Sequence, residues 1–321
     1  MRSRLIITAL TAFVAGTIGT VSLAFGQADD PIAKVKAALP DEAYVKPEKH
    51  RTLLVFTLCR GFRHTVIPLG AEALQLLGEK TGAYSAVASD DIALFEPDGL
   101  ARFDAVCLLN TTGELFLPPD FKDLARAEKT AAQERDAGLK KSFLDYLRHG
   151  KGLVGIHAAT DCFYEWPDFG VLMGGYFDGH PWNEEVTLKL DEPDHPLNGM
   201  FDGQPLVVAD EIYQFKAPYS RDRLRVLLSL DTSRTDMNKK GIKRTDGDFA
   251  VSWVHTVGQG RVFYCSLGHR DDIFWSPKVL RHYLAGIQFA LGDLPAPSAP
   301  VGATTQPTSA PATSHGRGAG R

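Results

Sequence analysis

From residue 52 onward, apolar residues gather in short unbroken runs separated by amphipathic stretches. Thr52–Cys59 reads Thr-Leu-Leu-Val-Phe-Thr-Leu-Cys, and Asp104–Asn110 and Gly152–His157 repeat the pattern. An apolar run of strand length without alternation belongs to a strand covered on both faces, as in a parallel sheet. Tyr84–Ala88 is a shorter member of the series. Between these runs, Leu69, Ala73, Leu76 and Leu77 recur at helical spacing, with Pro68 tolerated in a first turn. Leu139, Phe143, Tyr146 and Leu147 form a second helical stripe, closed by Gly150. Strand, helix and strand in repetition predict a doubly wound α/β sheet.

The second half changes character. Glu185–Asp191, Pro205–Asp210, Arg223–Leu230, Phe249–His255 and Gly260–Leu267 read as strands, several of them alternating. A last helix then carries Leu280, Tyr283, Leu284, Ile287 and Leu291 on one face. Antiparallel strands added to a parallel core account for this order. Residues 232–248 are polar and read as a solvated loop.

The ends differ from this body. Arg2 and Arg4 precede an apolar run from Leu5 to Phe25, so residues 1–28 read as a signal peptide, predicting export to the periplasm or beyond. The run is also long enough to stay as an N-terminal anchor. Residues 29–50 read as a linker, 51–293 as one α/β domain, and 294–321, rich in Pro, Ala, Ser and Thr, as a disordered tail. A net charge of −4 with no dense Lys/Arg cluster argues against nucleic acid or an anionic membrane as partner. Cys59, Cys107, Cys162 and Cys265 show no C-x-x-C pair, which rules out a zinc ribbon, and Cys107 and Cys265 read as buried thiols.

In an open α/β sheet, ligands bind beyond the carboxyl ends of the strands. Those positions hold Arg63 and His64; Asn110, Thr111 and Glu114; His157 and Asp161; Glu211 and Gln214; and His269. His180 sits with Tyr176 and Trp182 in a glycine-rich loop. Histidines with a carboxylate serve as metal ligands, for zinc among others, or as general acids and bases, and spacing alone does not choose between these. Asp161, four residues past His157, either orients that imidazole or caps a following helix. Asp271 and Asp272 read as a helix cap. No Ser or Cys stands at the strand-to-helix elbow, where His157 does, so an ordinary nucleophile triad is not expected.

Five segments in order carry a resemblance: Gly61-Phe-Arg-His64, Gly155–Asp161, Gly174–Trp182, Asp210–Gln214, and Gly260–Tyr264 with Ser266–His269. Together they resemble the ThuA-like proteins, associated with trehalose utilisation. The resemblance implies a class I glutamine amidotransferase-like, flavodoxin-like fold with the amidotransferase cysteine replaced, so glutaminase activity is not expected. It also implies carbohydrate metabolism, beside sugar oxidoreductases that make keto-sugars.

The expectation is therefore an exported enzyme acting on a glycoside or keto-sugar by hydrolysis or elimination. His157 and Glu211 are the expected acid/base groups, with Asp161 holding His157. His64, His180 and His269 are expected to hold a divalent metal such as zinc, or sugar hydroxyls. Arg63, Asn110, Thr111, Glu114 and Gln214 are expected to contact the sugar, with Tyr176 and Trp182 as stacking platforms. The alternative is a non-catalytic sugar-binding protein that uses the same two aromatics.

Overall fold

Leu53 and Val55 pack on one side of the first strand, and Leu54 and Phe56 on the other. That double burial is why the run carries no polar alternation. The computed structural model describes residues 30–302. Its main sheet comprises β1 (Thr52–Phe56), β2 (Ser85–Ser89), β3 (Ala105–Leu109), β4 (Gly152–Ile156), β5 (Trp182–Leu190), β6 (Leu206–Ile212), β7 (Arg225–Leu230), β8 (Ala250–Val257) and β9 (Gly260–Cys265). The order is β2-β1-β3-β4-β9-β8-β7-β5-β6. Pairing is parallel from β2 to β9 and antiparallel beyond. This is the expected doubly wound sheet extended by antiparallel strands.

The helices longer than a single turn are α1 (Pro31–Ala38), α2 (Ile67–Thr81), α3 (Arg126–Arg148), α4 (Pro167–Met173) and α5 (Pro277–Leu291). Residues of α1, α2 and α5 contribute to the core on one face, and those of α3 and α4 to the other. Helix α5 lies close enough to β9 that a Cβ at Gly286 would come within 2.3 Å of the Phe263 ring.

Two features position the site. First, β4 and β9 end level, with Ile156 opposite Cys265, so His157 and the Ser266–His269 turn leave the sheet together. Second, the register of β7 against β8 slips twice, around Leu228. Such slips bend a strand. The end of β6, five strands from β4 in the order, comes back over the end of β9.

The linker assignment for residues 29–50 is corrected by α1. Asp30 caps it, Pro31 opens it, and Val35 and Leu39, four apart, are buried in the core. After it, Gln288 in α5 accepts from the backbone of Tyr44, and Arg51 pairs with Asp293. At the other end, Leu294 and Ala296 pack on the core, and His195 Nε2 bonds the Pro297 carbonyl, so residues 294–297 are held where the composition predicts disorder. The segment 1–28, expected to be a signal peptide, and the tail beyond 302 lie outside the described residues. Among the described residues, no helix is long and apolar enough to cross a membrane.

His282, inside α5, is fully buried, its Nδ1 on the Leu197 carbonyl and its Nε2 2.8 Å from the Ser252 hydroxyl. Burial pushes it down to about 4. The unfolded chain then takes up a proton first, near the ordinary histidine value, so this contribution is complete at neutral pH and lost as pH falls from about 6.5 towards 4. At most about 3 kcal/mol is at stake. Urea unfolding of wild type and His282→Asn across this window should show a shallower acid loss in the variant.

Candidate active site

Each site residue follows from a strand end. After β1 the chain turns through Cys59–Phe62, pinned by the Arg60 N–H to the Thr112 carbonyl and by the Thr112 hydroxyl to the Phe62 carbonyl. This delivers His64, buried, just before α2. After β4 comes His157, in the left-handed region at φ 51°. That conformation costs a non-glycine residue about 1–2 kcal/mol. Three bonds hold it: Nδ1 to the Ser266 carbonyl at 2.7 Å, Nε2 to the Tyr213 hydroxyl at 2.9 Å, and the Tyr264 hydroxyl on its own carbonyl. Gly268, at φ +134°, crosses so close that a Cβ there would stand 2.9 Å from Ile156 and 3.1 Å from His157. Only glycine suits both demands.

Strand β6 supplies two carboxylates with different duties. Asp210, fully buried, accepts the backbone N–H groups of Gly268, His269 and Arg270. Burial pushes its carboxyl up to about 7, against the N–H groups of Gly268 and His269 that hold it down. Glu211 faces the imidazoles. Its Oε2 lies 3.1 Å from His269 Nδ1 and 3.6 Å from His157 Nε2, and its Oε1 lies 3.5 Å from His180 Nδ1.

His64, His157, His269 and Glu211 bring their ligand atoms within 4.8 Å of one another. The chemistry of this set suits a metal. The Ser266 carbonyl takes the proton end of His157, the arrangement that orients ligating histidines, so Nε2 carries the lone pair; it accepts the Tyr213 hydroxyl here and would exchange that bond for a metal. Nδ1 of His64 is buried without a hydrogen-bond partner among the described residues, and Nδ1 of His269 faces the Glu211 carboxylate at 3.1 Å. A buried orphan such as His64 Nδ1 needs an explanation, and a shared cation is one. The edges of a zinc tetrahedron are about 3.3 Å, between the two separations given for Glu211 Oε2.

Electrostatics agree with the geometry. Burial, then the neighbouring His269, lowers His64 to about 4, and burial and His64 lower His157 further. Burial works to raise Glu211, but contact with His269 and the charges of His269 and His180 hold it below its ordinary value. Contact with Glu211 raises His269, against its burial. Two neutral imidazoles and an ionised carboxylate are the states a metal ligand requires.

The structure redistributes several expected roles. Asp161 does not hold His157; it accepts the Tyr164 hydroxyl, and Ser266 and Tyr213 do the orienting instead. His180, with a side chain 47% exposed, sits across Glu211 from His269, and His157 takes its expected place in the metal group. Tyr176 and Trp182 are buried in the core, their polar atoms on the carbonyls of Trp166 and Asp236, so neither is a stacking platform. Gln214 clamps the 232–248 loop through the Gly241 carbonyl and the Lys243 N–H.

Asn110 (φ 52°) braces the Gly268 carbonyl, and Thr111 is buried against Cys162. Glu114 accepts the Glu165 N–H, and Arg63 is exposed beside the group. Asp271 and Asp272 stand in the first turn of a short helix whose cap is Arg270. With Thr65, Asn183, Arg270 and Trp275 they line a cleft of about 460 Å³ that opens from His269. Asn183 joins it to Glu211. Tyr213 carried a usable signal: two residues past Glu211 on an extended chain, it shares that residue's face. The cleft residues carried none, since they come from three separate segments.

A family model described as ThuA, trehalose utilisation, matches residues 52–290. No curated protein matches the chain. A ThuA-like protein of Bacteroides uniformis is 22% identical, with a TM-score of 0.57, over 77% of this chain and 93% of that one. A ThuA-like protein of Parabacteroides merdae is 17% identical, with a TM-score of 0.53, over 77% and 92%. At these identities the likeness is one of fold.

Asp210→Asn tests the support of the site. The amide would set an N–H2 against one of the three backbone donors, so a loss of about 2 kcal/mol in urea unfolding is expected. A variant as stable as wild type would remove Asp210 from this role.

Proposed function

The chain belongs to the ThuA family, and from that premise we propose that it is a carbohydrate-active enzyme built around a divalent transition metal held by His64, His157, His269 and Glu211. The observation that carries the proposal is the convergence of these four ligand atoms within 4.8 Å, with Nδ1 of His64 buried and unpartnered among the described residues. Three imidazoles and one carboxylate are a donor set for zinc or its neighbours in the first transition row. When bound, such an ion supplies a Lewis acid that polarises a substrate carbonyl or hydroxyl oxygen.

The chain's own groups do the rest. The Ser266 carbonyl fixes the His157 ring through Nδ1. His180 presents Nδ1 to Glu211, which leaves Nε2 of this half-exposed ring to give or take a proton at the substrate. The cleft offers carboxylates (Asp271, Asp272), an amide (Asn183), a hydroxyl (Thr65) and an indole (Trp275). That mixture of hydrogen-bonding groups with one aromatic face matches a sugar, and the family description supports the same class. The reaction read from these parts is hydrolysis or elimination on a glycoside or keto-sugar. The basic and then apolar segment at residues 1–28 supports the reading that the enzyme works after export.

Elemental analysis of the purified protein after incubation with zinc should give about one equivalent of metal, lost in His64→Ala, His269→Ala and Glu211→Ala and kept in His180→Ala. Zinc retained by all three ligand variants, or refused by the wild type, would sink the metal reading.

A further inference from the structure

Arg221 and Arg225 are both paired, the first with Asp191 and Asp248 and the second with Glu192. Arg223, between them in sequence, has no carboxylate partner among the described residues. Arg148, at the end of α3, has none either, and Asp145, one turn back, is taken by Lys141. These two guanidiniums line one cavity of about 320 Å³, with His255 in its wall and apolar surface from Val171, Pro218 and Leu224. No carboxylate lines it.

His255 adds a second observation. The residue is 6% exposed, and its Nε2 is buried with no hydrogen-bond partner among the described residues. Burial pushes it down to about 4, against the backbone of Leu172 and Thr256, and the Arg223 charge acts in the same direction as burial. A buried polar atom without a partner needs an explanation. Beside two unpaired cations, the group that satisfies all three is an anion, to which an imidazole carrying its proton on Nε2 donates.

The cavity is separate from the histidine group. Val257, the last residue of β8, pairs with Gly260, the first of β9, whereas the Ser266–His269 turn follows the end of β9. His255 to Gly258 therefore belong to the opposite edge of the sheet.

We propose that this cavity is a second binding site, for a small organic oxyanion whose carboxylate or phosphate group is held by Arg148, Arg223 and His255 and whose apolar body covers Val171, Pro218 and Leu224. Guanidinium groups match the oxygens of both anions and bind them in pairs of hydrogen bonds. Val171 is 40% exposed without a ligand, so a body of one small ring would take apolar surface out of water. A site with an apolar wall and a few convergent polar groups is the usual form of a small-molecule pocket.

The test is calorimetric titration of the full chain with benzoate, with phenyl phosphate and, as a neutral match, with benzyl alcohol. At least one of the two anions should bind, its head identifying the oxyanion, and benzyl alcohol should bind far more weakly. Arg148→Gln and Arg223→Gln, both at exposed positions, should each weaken the anion about tenfold, while His64→Ala leaves it unchanged. Refusal of both anions by the wild type would overturn the proposal, as would benzyl alcohol binding as tightly as they do. Anion binding kept by both arginine variants would overturn it too, and loss in His64→Ala alone would move the anion to the metal group.

Discussion

The contact on which the site depends is one buried carboxylate receiving three backbone N–H groups. Asp210 belongs to the edge strand of the antiparallel extension, and its partners, residues 268–270, follow the last parallel strand. The bond set therefore joins the two halves of a nine-stranded sheet at the edge where ligands bind. It ties the β6 end that carries Glu211 to the turn that carries His269. A carboxylate is the one short side chain that accepts all three donors, which makes its desolvation worth bearing.

Around that contact the site is rigid where it is buried and open where it meets solvent. His157 and Asn110 occupy left-handed backbone at the ends of neighbouring strands, and Gly268 threads between them. Strain of this kind persists only where surrounding contacts overdetermine it. The hydrogen bonds from Ser266, Tyr213 and Tyr264 do so for His157. His180, on its glycine-rich loop, is the more exposed partner of the same carboxylate.

How much of this could be read from the chain follows the range of the interactions. Strands and helices were legible because burial on one or two faces imprints a local period, and strand ends led to His64, His157, Glu211 and His269. Long-range choices left no local mark. Nothing in the sequence near Trp182 or Tyr176 distinguishes a core aromatic from a sugar platform, since the deciding partners, the carbonyls of Asp236 and Trp166, lie elsewhere. Asp161 looked like the orienting group for His157 because it is near in sequence; Ser266, 109 positions away, is near in space. The helix over 31–38 was missed for the opposite reason, its two apolar anchors being too few to make a stripe.

The two ends of the described chain leave the domain at different places. Lys34 in α1 lies over the ring of Trp275, at 5.1 Å, so the start of the chain borders the cleft. The other end runs past His195 and Arg225, whose side chains bond the carbonyls of Pro297 and Ala299. His195 follows the end of β5 away from Trp182, so this end lies at the sheet edge opposite the histidines. Lys34 therefore marks the mouth of the site, and Pro297 and Ala299 its far side. Fixing the protein to a surface beside Ala299 would leave the cleft facing solution; fixing it beside Lys34 would crowd the entrance.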